Sequence, residues 1–353
     1  MKSKLLFFCS LAAAFCLSAC QGGSSSNNQS GIEGVKDQRE KEDEMLLICA
    51  VLRDKCGFID RNGHWIIHPQ FDDAYPFSDN GLARVEINWK YGFIDKTGNF
   101  VINPRFNDAN DFSDDGLAIV EINWKYGFID KTGNFVINPQ FDYAYPFSDD
   151  GLAIVIVNGK PDGGLVSILL TGKYGFIDKT GNFVINPQFD NADPFSDNGL
   201  ARVEINGKWG YIDKTGYFVI NPQFNGASDF SDDGLARVAA NGKYGYIDKT
   251  GNFVINPQFD GTGDFSDNGL ACVEINGKYG FIDKTGNFVI NPQFDRAFIH
   301  EGIIFVCVFR GTGKHGYKNC KWGIIDKSGN IIAYPQFDSV VECLTTHKRE
   351  RRL

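Results

Sequence analysis

Nine cysteines are the residues of this chain whose chemistry most needs an account. Cys9, Cys16 and Cys20 fall in or at the end of an apolar N-terminal run, which leaves Cys49, Cys56, Cys272, Cys307, Cys320 and Cys343. An even set in an oxidising compartment permits disulfides, but spacing does not fix their connectivity. Cys307 and Cys320 flank a glycine-rich insertion, and Cys49 and Cys56 flank a short hairpin. Each pair is a candidate staple, with free, half-buried thiols as the alternative. No Cys-x-x-Cys argues for zinc or for thioredoxin-type exchange.

Other patterns imitate chemical motifs without their context. Gly311-Thr312-Gly313-Lys314-His315-Gly316 satisfies Gly-x-Gly-x-x-Gly, yet it lies in a hairpin insertion, where the dinucleotide mechanism needs a strand followed by a helix. His64 and His68 are the one close histidine pair. Four residues along a strand separate them by about 13 Å, too far to share a metal ion without a bend. The acidic segment Asp111-Phe112-Ser113-Asp114-Asp115-Gly116 starts like a calcium loop, but its twelfth position is Ile122. A turn in which Asp bonds its own backbone explains it better. Acidic residues recur at fixed positions, with no unique pair set apart for acid–base work. No catalytic residue, metal site or cofactor is expected.

Two aromatic residues stand out by position. Asn88-Trp89 and Asn123-Trp124 sit where other parts of the chain carry Asn-Gly, the dipeptide favoured at two-residue hairpin tips. A tryptophan there is expected on an exposed tip, suited to stacking on a sugar or peptide face. The alternative is an indole folded back onto its own sheet or over Lys90 or Lys125. Trp89 and Trp124 are therefore the candidate ligand contacts.

The elements that position these residues come from internal repetition. An aromatic-or-cysteine-plus-glycine dipeptide recurs with its glycine at 57, 92, 127, 175, 210, 245, 280 and 323, mostly 35 residues apart. Leu200 to Ile205 alternates apolar and polar, as a half-buried strand does. Asn206-Gly207 turns the chain into a second strand from Lys208 to Asp213. Lys214-Thr215-Gly216 turns it again into a third, Tyr217 to Asn221, expected to stop at Pro222 because proline cannot donate to a ladder. A loop of about twelve residues then reaches the next copy. The expected fold is all-β: eight tandem three-stranded antiparallel meanders over residues 46–338, stacked as an open solenoid or superhelix, with a closed propeller-like ring as the alternative. Both terminal copies diverge, as end units facing water should. Residues 339–353 form a C-terminal tail.

The remainder of the chain concerns location. Lys2 and Lys4 precede an apolar stretch from Leu5 to Leu17, too short to span a bilayer and typical of a secretory signal peptide over residues 1–19. It ends in Leu17-Ser18-Ala19-Cys20, which resembles the bacterial lipobox and makes Cys20 the expected lipidation site. Cleavage deepens the formal charge from −9 to −11, which disfavours nucleic acid as a partner. Residues 20–45 are polar and read as a tether. Gln21 is not the aspartate that retains such lipoproteins at the inner membrane, so a lipid-anchored position at the outer membrane of a bacterial envelope is expected.

The repeated unit resembles the WG (KWG) repeat family. Trp209-Gly210 and Trp322-Gly323 keep the defining dipeptide, while tyrosine replaces tryptophan in five copies and Cys56 in the first. Ile-Asp-Lys-Thr-Gly, Asn-Pro-Gln-Phe and Phe-Ser-Asp-Asp/Asn-Gly-Leu-Ala strengthen the likeness. It implies an all-β repeat protein and no particular activity. The expected function is a non-catalytic repeat surface that binds a protein or glycan at the envelope. A structural spacer and a hydrolase using the divergent last unit are the alternatives.

Overall fold

The structure, a computed structural model, describes residues 46–309 and 320–338. Cys20, Cys343 and the Gly311–Gly316 string lie outside them, as do the expected signal peptide, tether and tail. The described chain folds into eight small antiparallel sheets in sequence order. The fifth shows the plan: strands Ala201–Ile205, Lys208–Ile212 and Phe218–Phe224 form the meander.

A fourth, two-residue strand, Asn191–Ala192, pairs ahead of them (Asn191↔Glu204, Ala192↔Val203). The loop expected from the sequence thus contains an extra edge strand, and seven of the eight sheets have four strands. Two residues are too short to carry a periodic signal. Among the described residues the first sheet has three strands, and the eighth lengthens the extra strand to Arg296–His300.

Pro222 does not end its strand, contrary to the sequence expectation. The strand runs on to Phe224, and the ladder jumps from Tyr211↔Ile220 to Trp209↔Phe224. The proline sits inside this bulge, where no ladder donor is needed. Gly210 lies opposite: a Cβ built there would stand 2.5 Å from the Ile220 carbonyl oxygen and 2.6 Å from Pro222 N. The recurring glycine is therefore demanded by close approach of backbone to backbone, and the bulge and the glycine require each other.

Cores form between sheets. Ala201 and Val203 are fully buried against the fourth sheet, while Tyr211 and Ile220 turn toward the sixth. Phe106 is fully buried and meets Phe135 of the next sheet edge-on, with ring centroids 6.3 Å apart. Third-strand isoleucines also rest on the turn glycine of the following sheet. A Cβ on Gly133 would stand 3.1 Å from Ile102 Cγ1, and φ at Gly133 is +88°. That glycine answers to both backbone conformation and packing.

Among the described residues seven apolar clusters bridge the seven neighbouring pairs of sheets, and none joins the first to the eighth. A closed ring would need an eighth. The array is open, and its end faces are wet: Ile48 is 44% exposed where the equivalent Ala83 is fully buried, and Phe337 is 40% exposed where Phe106 is fully buried.

Each meander is pinned by an aspartate turn. Asp95 Oδ1 accepts from Thr97 N (2.9 Å), Thr97 Oγ1 (2.6 Å) and Asn99 N (3.0 Å). Asp130, Asp178, Asp213, Asp248 and Asp283 repeat this geometry, and the Thr hydroxyl, with the backbone donors, holds all six carboxyls below their ordinary range. A carboxyl whose pKa is lowered on folding stabilises the fold above its unfolded value, near 3.9, and loses that contribution as pH falls through the folded one. The thermal midpoint should therefore hold near neutrality and fall steeply below about pH 4. Melting curves at constant ionic strength check this, and a flat profile from about pH 5 to about pH 2 would contradict it.

Candidate functional site

The hairpins between the first and second long strands of each unit end along one edge of the array. Asn206-Gly207, Asn241-Gly242 and Asn276-Gly277 take positive φ at both positions, as a two-residue tip requires. Asn88-Trp89 and Asn123-Trp124 adopt the same backbone, with φ of 62° at Trp89 and 63° at Trp124. A left-handed conformation is unfavourable for a residue with a Cβ, by roughly 1–2 kcal/mol. The hairpin register imposes it on both tryptophans, because Ile87↔Lys90 and Ile122↔Lys125 close the ladders directly below.

Neither indole folds back. Trp89 is 81% exposed and Trp124 78%. The tips beneath them are braced. Asp72 accepts from Lys55 Nζ of the first sheet and from Asn88 N of the second, both at 2.7 Å. Those bonds, the lysine's first, lower the Asp72 pKa. At the third sheet, Glu121 Oε1 accepts from Trp124 N at 2.9 Å. The tips are thus rigid supports for exposed rings.

The next tip along the edge carries an element that the sequence analysis missed. An insertion in the fourth hairpin forms a 3-10 turn, Pro161–Gly163, and a helix, Gly164–Thr171. Ile168 is buried and seats the helix on the fourth core, while Val166 (66% exposed) and Leu170 (78%) face solvent. The signal is present in the run Leu165-Val166-Ser167-Ile168-Leu169-Leu170 after Pro161, a residue suited to a helical first turn. Three consecutive tips therefore present large apolar side chains on one edge.

The remaining candidates fall elsewhere. Cys307 and Cys320 are disulfide-bonded, with Cα atoms 5.9 Å apart, at the base of the eighth hairpin. Cys49 and Cys56 are free thiols, which corrects the second candidate staple. Val51, not Cys49, stands opposite Cys56 in the ladder, the same diagonal offset as in the bonded pair, where Trp322 stands opposite Cys307. Burial, reinforced by the neighbouring Cys56, pushes the Cys49 thiol up to about 11.

His64 Nδ1 lies 3.3 Å from Asp60 Oδ2 in the first turn. Among the described residues no three His, Cys, Asp or Glu side chains gather as metal ligands. The acidic loops serve the fold: Asp115 Oδ1 accepts from Ser113 Oγ, and its Oδ2 meets Lys179 Nζ of the next sheet at 3.1 Å. Asp150–Lys214 and Asp233–Lys284 repeat this bridge.

Fold and edge together define an open, all-β array of tandem small sheets that presents a row of braced hairpin tips. The chain belongs to the family described as WG containing repeat, whose model matches residues 57–91, 91–126, 126–160, 174–209, 209–244, 244–279, 279–308 and 322–342. No curated protein matches it. Solved structures share only loose likeness. A eukaryotic initiation factor is 10% identical, with a TM-score of 0.44 over 85% of this chain and 87% of that one. Apo AztD from Citrobacter koseri is 12% identical, with a TM-score of 0.34 over 82% and 93%. Dipeptidyl peptidase 4 of Porphyromonas gingivalis is 7% identical, with a TM-score of 0.40 over 82% and 58%.

Proposed function

We propose that this protein is a lipid-anchored component of a bacterial envelope whose repeat array is a non-catalytic binding module for a protein or glycan. The repeat fold makes it an interaction module in kind. The observation that carries the finer reading is the pair of indoles at Trp89 and Trp124, held exposed on left-handed turns where glycine would be more stable. Evolved proteins accept such strain where the side chain is used. Large exposed aromatics supply stacking area at low cost in side-chain entropy. The neighbouring Val166 and Leu170 extend the apolar edge to a third tip. Capture from the organism's own envelope, with residues 21–353 as bait, should recover a protein or glycan that binds saturably. Recovery of nothing, or turnover in a broad hydrolase panel, would overturn the reading.

Anchoring rests on the Leu17-Ser18-Ala19-Cys20 string and the polar tether that follows it. Several acyl chains on one residue give stable attachment, where a single chain is marginal. Metabolic labelling with a fatty-acid analogue should mark the wild type and leave Cys20→Ala unlabelled and mis-sorted. Equal labelling of both would end this part of the proposal.

A further inference from the structure

The interface between the seventh and eighth sheets lacks a side chain that three of the other six carry; two of the rest have Ile119 and Ile154 in its place, and the first has Cys49, whose Sγ lies 3.4 Å from the Ala74 carbonyl oxygen of the next sheet. At three other interfaces an arginine of the first long strand crosses to the next sheet. Arg84 donates to the Ala109 carbonyl, Arg202 to the Ala227 carbonyl, and Arg237 to the Thr262 carbonyl at 2.7 Å. Two of the guanidinium groups lie against aromatic rings: Arg84 Cζ is 3.7 Å from the Tyr75 ring centroid, and Arg202 Cζ is 4.8 Å from that of Trp209. Carboxylates complete the setting, with Arg202 Nε 2.7 Å from Asp193 Oδ2.

In the seventh sheet the arginine position is Cys272, whose Sγ lies 3.4 Å from the Ala297 carbonyl oxygen. A thiol is a weak donor, so the carbonyl that elsewhere receives a guanidinium is poorly served. Gly261 and Gly263 stand where the second sheet carries Asp73 and Tyr75, and a Cβ on Gly263 would meet nothing within 4 Å. These reductions leave an open cleft of about 440 Å³. Its walls retain Glu274, Tyr279 and Asp264, while the eighth sheet contributes Ala297 and Ile299.

We propose that this cleft is a binding site for a guanidinium group, which takes the place that an arginine side chain fills at three other interfaces. Its N–H groups donate to the Ala297 carbonyl and the Glu274 carboxylate, and its plane lies on the Tyr279 ring. A carbonyl, a carboxylate and an aromatic face also hold the protein's own guanidinium at Arg202, where the carboxylate is Asp193, at the position of Gly263, and not the counterpart of Glu274. Planar cations suit such a slot better than an ammonium, because several donors act at once in a fixed fork. Burial drives the Cys272 thiol up to about 12, so the sulfur is a neutral floor and not a nucleophile. Asp264 is shared, since Arg237 Nε of the sixth sheet lies 3.8 Å from its Oδ1. Arg296 approaches Tyr279 from the eighth sheet and carries a like charge that the ligand must tolerate.

The test uses the mature chain and capped single residues as probes, with affinity read by NMR titration. N-acetyl-arginine methylamide should bind at least roughly tenfold more tightly than its neutral citrulline isostere, the ratio expected for one charge-assisted hydrogen bond. The lysine analogue should fall between them. Cys272→Arg introduces the side chain found at three other interfaces and should abolish saturable binding while the thermal midpoint holds or rises. Gly263→Tyr fills the same space from the other wall and should do likewise, so the site remains testable if the first variant misfolds. Arg296→Ala should tighten the arginine probe. A pentapeptide with central arginine that outbinds methylguanidinium assigns the guanidinium to a polypeptide, and equal affinities assign it to a small free guanidine. Equal binding of arginine and citrulline probes, or undiminished binding by folded Cys272→Arg, would overturn the site.

Discussion

Replacing Gly210 by alanine should cost about 3 kcal/mol or more, the largest effect expected from any single methyl group in the array. The new Cβ would stand 2.5 Å from the Ile220 carbonyl oxygen and 2.6 Å from Pro222 N. Both are backbone atoms of the paired strand and cannot rotate away. Relief requires opening the bulge, which moves Ile220 and Phe224 out of the core shared with the sixth sheet. In a linear array a central unit supports two interfaces, so its loss is felt on both sides.

Gly207→Ala is the control. That glycine has φ of +71° and nothing within 4 Å of a Cβ, so only backbone strain of roughly 1–2 kcal/mol is expected. Urea unfolding of both variants measures the contrast. Equal midpoints would show that close approach is not what holds the glycine in place.

The double variant Trp89→Gly/Trp124→Gly should separate stability from binding in opposite directions. Glycine relieves the positive φ at both tips, so stability should hold or rise by a few tenths to about 1 kcal/mol per site. Nothing is lost from a core, since the rings are 81% and 78% exposed. Affinity for the captured envelope ligand should fall by roughly 1–3 kcal/mol for each ring, as for aromatic anchors at interfaces. Thermal melting and a binding titration on one preparation read both quantities. A loss of stability with unchanged affinity would show that the indoles pack as lids, and the assigned contact edge would be wrong.

Features set by a chain-local rule are legible in the sequence. The three long strands follow from alternation between Leu200 and Ile205 and from the Asn-Gly and Lys-Thr-Gly turns. The exposure of Trp89 and Trp124 follows from their replacing glycine at a tip, since a two-residue turn points both side chains away from the ladder. Features that depend on a partner segment are not legible. Pro222 reads as a strand end because its bulge is defined only by Gly210 on the neighbouring strand. The Asn191–Ala192 strand is too short to have a period and exists because Glu204 and Val203 offer it an edge.

The sequence by itself determined the repeat, the strand order within each unit and the placement of two aromatic rings at tips, all consequences of chain-local geometry. Only the tertiary structure decided that the array is open, because closure turns on whether the first and last faces meet. Ile48 and Phe337 are exposed where their interior counterparts are buried. It also decided that a cleft lies beside Cys272, because that space is bounded by the eighth sheet as much as by the seventh. Volumes between units belong to pairs of units, and no single unit's sequence contains them.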